Sequence, residues 1–207
     1  MTVFYDLFER HAHGEGLKAH STHYCPGCGH GLIQKYLAES IDELGIQDRT
    51  IAVSPVGCAV FMYYYLDVGN TQAAHGRAPA VAVAHKLANP EAIVISYQGD
   101  GDLASIGLAE ILSAAELSLP ITVIFVNNAI YGMTGGQMAP TTPETGIVST
   151  ATLGSIEKPF NLPYLAESCG AVYVARWTVY HVRQLANSIR TALTKPGLTF
   201  VEMLAPC

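Results

Sequence analysis

Gly99-Asp100-Gly101 closes one apolar run, Ala92–Gln98, and Asn127-Asn128 closes the next, Ile121–Val126. If the two runs are neighbouring parallel strands, their C-terminal ends point at the same edge of the sheet, where open α/β folds bind ligands. Asp100, expected on an exposed loop, and Asn128 then converge. A carboxylate, an amide oxygen and a free backbone carbonyl make half a shell for a hard ion such as Mg²⁺, which keeps phosphate oxygens in the other half. The glycines let the backbone approach a diphosphate closely. Alone, Gly-Asp-Gly is more often a turn than a site. The second motif, one helix and one strand further on, points instead to a diphosphate–magnesium site.

The second constellation is Cys25-Pro26-Gly27-Cys28-Gly29. Two thiolates in a glycine-rich turn, with free N–H groups able to point at sulfur, suit either zinc or an iron–sulfur cluster. A zinc ribbon needs a second Cys-x-x-Cys nearby, and none exists, although His30 with His20 or His23 can complete a mixed zinc site. Of the remaining cysteines, Cys58 follows Gly57 at the end of the apolar run Thr50–Val56, and Cys207 lies behind Pro206 just past the run Leu198–Leu204. Both can reach the cofactor edge. Cys169, beside Leu165 and Ala166, reads as a small buried hydrophobe.

The elements that must position these groups alternate. Thr50–Val56, Ala92–Gln98, Ile121–Val126, Ala171–Arg176 and Leu198–Leu204 are β-branched or continuously apolar, the pattern of strands buried on both faces. Helical spacing is expected over Gly76–Leu87, which ends before Asn89-Pro90, over the stretch of Leu103, Ile106 and Ile111 up to Pro120, and over Pro159–Ser168 and Val179–Leu193. The result is an α/β fold, a doubly wound parallel sheet with right-handed crossovers, in a single domain over 1–207. Residues 129–159 turn to Gly, Thr and Pro, and a stretch that long without periodicity suits a lid or a subunit-contact loop.

Of 207 residues, 50% are hydrophobic and only 14% charged, so much of the surface is expected to be covered by partner chains. A net charge of −6 without a basic run excludes nucleic acid as a partner. No apolar stretch reaches membrane-spanning length and no signal core is present, so a cytoplasmic location is expected. There, five cysteines suggest metal or cluster binding rather than disulfides.

Taken together, Cys25-Pro26-Gly27-Cys28, Gly57-Cys58, His75-Gly76-Arg77-Ala78, Gly99-Asp100-Gly101-Asp102, Asn127-Asn128 and Ile130-Tyr131-Gly132-Met133-Thr134 resemble, in order and spacing, the β subunits of 2-oxoacid:ferredoxin oxidoreductases. The resemblance covers nearly the whole chain. It implies that Cys25, Cys28, Cys58 and Cys207 ligate one 4Fe-4S cluster, and that Asp100, Asn128 and the carbonyl of Ile130 bind Mg²⁺. It also implies a thiamine diphosphate lined by Val56, Gly57, Cys58, Ala59, Gly99, Asp100, Gly101, Asp102, Asn128, Ile130, Gly132 and Met133, with Tyr131 left to packing. The activity implied is coenzyme A-dependent oxidative decarboxylation of a 2-oxoacid to acyl-CoA and CO₂, with electrons passed through the cluster to ferredoxin.

Thiamine enzymes usually activate the cofactor with a glutamate from a separate pyrimidine-binding domain. Glu110 and Glu116 look like helix-surface charges, so the resemblance implies an α subunit that supplies the glutamate and most of the substrate pocket. γ and ferredoxin-like δ subunits belong to the same type of assembly. His75 is the candidate catalytic residue, with capping or packing as its other reading. Arg77 can meet substrate or phosphate charge, or a helix carboxylate. His11, His13, His20 and His23 are expected in solvent or at subunit contacts. Two departures stand out: relatives continue past the cysteine matching Cys207, and some carry a lysine where Gly135 stands. Gly135-Gly136-Gln137 resembles the versions acting on 2-oxoglutarate or branched-chain 2-oxoacids. Two rival readings remain: a non-redox thiamine decarboxylase or synthase subunit, which has no use for four cysteines, and a zinc-stabilised structural subunit.

Overall fold

A computed structural model describes Val3, Phe4 and residues 22–207; His11, His13 and His20 lie outside the described residues. In chain order the elements are α1 (Gly29–Leu44), β1 (Thr50–Ser54), β2 (Gly69–Gln72), α2 (Ala78–Ala88), β3 (Ile93–Gly99), α3 (Leu108–Leu117), β4 (Ile121–Asn127), β5 (Ile130–Tyr131), β6 (Gln137–Met138), α4 (Leu162–Ser168), β7 (Tyr173–Thr178), α5 (Val182–Thr194) and β8 (Thr199–Leu204). Six strands form one parallel sheet in the order β2-β1-β3-β4-β8-β7. No helix among the described residues is long and apolar enough to cross a membrane.

Strand residues alternate between two helical layers, as a doubly covered sheet requires. In β4, Ile124 and Val126 join Ile33, Leu37 and Ile41 of α1 and Leu185 and Ile189 of α5. Val123 and Phe125 face Ile111 and Ala114 of α3 and Leu162 of α4. Ala78 and Ala82 of α2 cover Val53 and Val94 on the same side. Burying Ile33, Leu37 and Ile41 contributes about 2 kcal/mol each, which holds α1 and the turn before it to the sheet.

The expected order of strands and helices holds, with boundary shifts that have local causes. The helix expected from Gly76 starts at Ala78, with Pro79 in its first turn, because Gly76 at φ 77° cannot be helical. The helix expected from Leu103 begins as a π-turn over Asp102–Ile106 before α3 proper. α4 and α5 start a few residues later than their patterns suggest, α4 capped by the Asn161 side chain. Three elements lie where no pattern was read: α1, the edge strand β2, and a 3₁₀ segment over Cys58–Tyr64. β2 is polar and exposed, so it carries no hydrophobic signal, and the 129–159 stretch contains the short β5–β6 ribbon and one isolated bridge between Val148 and Ala151.

Candidate active site

The chain leaves β1 toward β2 on one side of it and returns to β3 on the other, so β1 and β3 flank a switch point. A cleft opens at their C-terminal ends. It is lined by every residue expected to contact the diphosphate cofactor, from Val56–Ala59 after β1 through Gly99–Asp102 after β3 to Asn128, Ile130, Gly132 and Met133 after β4, together with His75. Gly99 is in register with Val126, so the Gly-Asp-Gly and Asn-Asn motifs leave the sheet side by side. Gly57, at φ 103° and with open space where a Cβ would stand, gives the cleft a bare backbone wall.

Asp100 is not on an exposed loop. The chain enters a helical turn at once after β3, and Thr141 folds over the carboxylate, leaving Asp100 only 2% exposed. One carboxylate oxygen accepts from the Gly101 N–H (2.8 Å) and the other from the Thr141 hydroxyl (2.6 Å). Burial raises its pKa, opposed by these donors. Asn128 Oδ1 accepts from the Ile130 N–H (3.3 Å). Asn127 plays a different part. Its Nδ2 donates to Glu202 (2.7 Å), a buried carboxylate that also pairs with Arg176, so it ties β4 to β8. Tyr131 is more than packing: its hydroxyl donates to the Gly101 carbonyl (2.8 Å) and its ring fills the place where a Gly101 side chain would stand. Arg77 pairs with Glu110 of α3, the helix-carboxylate contact among its two readings. Glu110 is thereby held at the α3 start.

The cysteines come from three segments. Cys25 and Cys28 sit on a turn closed by the Cys28 N–H to the Cys25 carbonyl (3.0 Å), with Cys28 as the residue before α1. Cys58 opens the 3₁₀ segment after β1. Cys207 follows β8, which pairs with β4. Its tail is fastened by two backbone bonds: the Gly29 N–H donates to the Pro206 carbonyl (3.1 Å) and the Ala205 N–H to the Asn127 carbonyl (3.0 Å). Gly29 has no room for a side chain because Ala205 packs on it. Burial, then the charges of Cys28, Cys207 and Cys25, push the Cys58 thiol up to about 11. Burial likewise raises Cys28, beside Cys207 and Cys25, and Cys207, beside Cys25. The four thiols thus share one neighbourhood. Backbone N–H groups reach two of the sulfurs, from His30 to Cys28 and from Met133 to Cys58. Cys169 is apart from them and packs on the α3–α4 core, half-buried where its sequence setting implied full burial.

The histidines expected to complete a zinc site have other partners. His30 is 2% exposed, stacked on Tyr24 (5.0 Å between centroids) and hydrogen-bonded through Nδ1 to the Tyr97 hydroxyl (2.6 Å), with its pKa lowered to about 4 by burial. His23 is not free in solvent: it is half-buried, stacked with Phe61 and bonded to the Tyr65 hydroxyl (2.9 Å). Among the described residues, no three His, Cys, Asp or Glu side chains close on a single ion. The residue that sequence reasoning missed is Thr141, which stands in no motif and is brought in from the irregular stretch; His30, read only as a zinc-ligand candidate, instead bonds Tyr97.

Fold and cleft define a thiamine-diphosphate-binding domain. Residues 55–203 match the family of thiamine pyrophosphate enzymes, C-terminal TPP binding domain. The chain is 46% identical over 215 residues to ketoisovalerate oxidoreductase subunit VorA of Methanothermobacter thermautotrophicus, covering 98% of this chain and 44% of that protein. It is 42% identical over 185 residues to 2-oxoglutarate synthase subunit KorB of Methanocaldococcus jannaschii, covering 89% of this chain and 68% of that one. Among solved structures it superposes, with a TM-score of 0.88, 30% identity and coverage of 99% of this chain and 70% of that one, on 2-oxoglutarate:ferredoxin oxidoreductase from Magnetococcus marinus with 2-oxoglutarate, coenzyme A and succinyl-CoA bound. The chain belongs to the 2-oxoacid:ferredoxin oxidoreductase β-subunit family, and it spans less than half the length of the ketoisovalerate relative.

Proposed function

We propose that the chain is the cofactor-bearing β component of a 2-oxoacid:ferredoxin oxidoreductase, forming acyl-CoA and CO₂ from a 2-oxoacid and coenzyme A and passing the electrons to ferredoxin. The observation that carries this reading is the sharing of Cys58 between the two sites: it lines the cofactor cleft and lies among the other three thiols. A non-redox thiamine enzyme has no use for that junction. A zinc site is disfavoured by His23 and His30, whose rings are engaged elsewhere.

Asp100, Asn128 and the Ile130 carbonyl would hold Mg²⁺, and the bare backbone at Gly57 and Gly99 would meet the diphosphate. Cys25, Cys28, Cys58 and Cys207 would hold the cluster, with the His30 and Met133 N–H groups tuning its potential through the sulfurs. When bound, thiamine diphosphate supplies the carbon nucleophile and electron sink, and the cluster takes the electrons singly. His75 faces the substrate. Among the described residues the cleft lining holds no lysine or arginine, so a cation for a second carboxylate comes from the α subunit when the acid is 2-oxoglutarate, whereas a branched-chain acid needs none. Ile147, Leu153 and Ile156, exposed by 76, 100 and 92%, suit the α-subunit contact. The chain works as a single domain in a cytoplasmic complex, where cysteines serve as cluster ligands rather than in disulfides.

The test is anaerobic copurification with its partner chains, followed by assay of viologen reduction with 2-oxoglutarate and with a branched-chain 2-oxoacid, each with and without coenzyme A. Acid- and coenzyme A-dependent reduction by a brown preparation absorbing near roughly 400 nm supports the reading. A colourless preparation with stoichiometric zinc contradicts it.

A further inference from the structure

Asp102 stands among the expected cofactor contacts, yet the protein itself occupies both its carboxylate oxygens. Oδ1 accepts from the Gly76 N–H (2.5 Å) and is bonded to Nδ1 of His75. Oδ2 accepts from Gln98 Nε2 (2.5 Å), whose own Oε1 accepts from the Ser96 hydroxyl (2.8 Å). Ser96, Gln98 and Asp102 are all buried. Because the Gly76 N–H and Gln98 Nε2 can only donate, the carboxylate is held as an acceptor, and Nδ1 of His75 is the donor to it. The backbone under this contact is equally fixed: Gly76, at φ 77°, lies against Ile106 and Gly107 with no space for a side chain. Fixing Nδ1 sets the tautomer and orientation of the ring and leaves Nε2 as its working atom. The ring lines the cleft, edge-on to Tyr131 (6.4 Å between centroids, 62°).

We infer that Asp102 is a positioning residue, backed by Gln98 and Ser96, that aims Nε2 of His75 at an oxygen of the bound 2-oxoacid: in the Nδ1–H tautomer Nε2 is a free acceptor, and it gives a proton to that oxygen only when the ring has first taken one up and both nitrogens are protonated. Tyr131 stands edge-on to the ring. The inference rests on the function proposed above and adds to it a chain, Ser96–Gln98–Asp102–His75, buried as far as Asp102, that reaches from β3 to the cleft.

The test compares Asp102→Asn and Gln98→Ala in the complex with its partner chains, reading kcat, KM for the 2-oxoacid, thiamine diphosphate retained after gel filtration, and the rate at which diethyl pyrocarbonate modifies His75, followed by peptide mass. Asp102→Asn is expected to lower kcat about a hundredfold with KM changed little, to retain the cofactor, and to slow His75 modification about tenfold. Gln98→Ala acts in the same direction less strongly, and it carries the test if Asp102→Asn fails to fold. Loss of cofactor retention with unchanged His75 reactivity would show instead that Asp102 is a cofactor contact and overturn the inference. A wild-type complex that turns over neither 2-oxoacid contradicts the proposed function alone, and the modification rates still decide whether Asp102 fixes His75.

Discussion

The diphosphate edge and the cysteine junction lie side by side but are built on opposite plans. Asp100 and Asn128 ride on the ends of adjacent, fully buried strands, and both side chains already have partners from their own surroundings. The junction collects one turn, one strand exit and the chain tail, positions 25–28, 58 and 207, and crowds thiols whose charged forms oppose one another. One region is a preformed mould. The other is held by a few backbone bonds and needs its ligand to offset repulsion, so the two should respond differently to substitution, pH and ligand removal.

The largest effect is expected at the mould. Asp100→Asn should lower thiamine diphosphate retention at least about a hundredfold, the upper end of what even outer-shell changes cost a metal site. The fold should survive, because burial already penalises the ionised carboxylate in the ligand-free chain. Equilibrium dialysis with Mg²⁺ and circular dichroism of the variant check both halves of this expectation. Unchanged retention would remove Asp100 from the ion.

At the junction, Cys25→Ser or Cys58→Ser should take iron from about four atoms per chain to near zero, while Cys169→Ser should leave it unchanged. Equal iron loss in all three would overturn the ligand set.

The regions also differ in alkali. With no cluster bound, Cys58 is pushed up from 9.0 to about 11 by burial, and Cys28 and Cys207 are raised too. The folded chain therefore holds these protons more tightly than the unfolded chain. The stability so conferred is complete below about pH 9 and is lost as pH rises toward about 11. Urea midpoints of the cluster-free chain should fall between about pH 9 and about pH 11, and the cluster-loaded chain should lack this fall, since its thiolates have no proton to lose.

A smaller effect tests the tail. Gly29→Ala places a methyl group against Ala205 and should cost about 1–3 kcal/mol and lower iron occupancy without removing any ligand. Full iron occupancy with the substitution in place would show that Cys207 does not depend on this fastening.

How much of this was legible in the sequence follows the same division. Gly-Asp-Gly and Asn-Asn sit directly after apolar runs, so strand, edge and chemistry could be read together. The turn at Cys25–Cys28 was legible, but α1, which carries it, was not read, although Ile33, Leu37 and Ile41 follow helical spacing. Thr141 was invisible because its stretch is irregular and its contact to Asp100 crosses 41 positions. The fastening of Cys207 by Gly29 is a backbone contact between chain ends, which no local pattern encodes. Arg77 and His75 each carried two readings because their partners, Glu110 and Asp102, lie 33 and 27 positions away in the chain.

The central claim is that electrons released at the thiamine edge pass into a cluster held in part by Cys58. Its most direct measurement is the anaerobic absorbance near roughly 400 nm of the complex on addition of 2-oxoacid and coenzyme A, read alongside CO₂ release. The account predicts bleaching that needs the 2-oxoacid and that Cys58→Ser abolishes. CO₂ release at full rate with coenzyme A, and no bleaching in the wild-type complex, would contradict it.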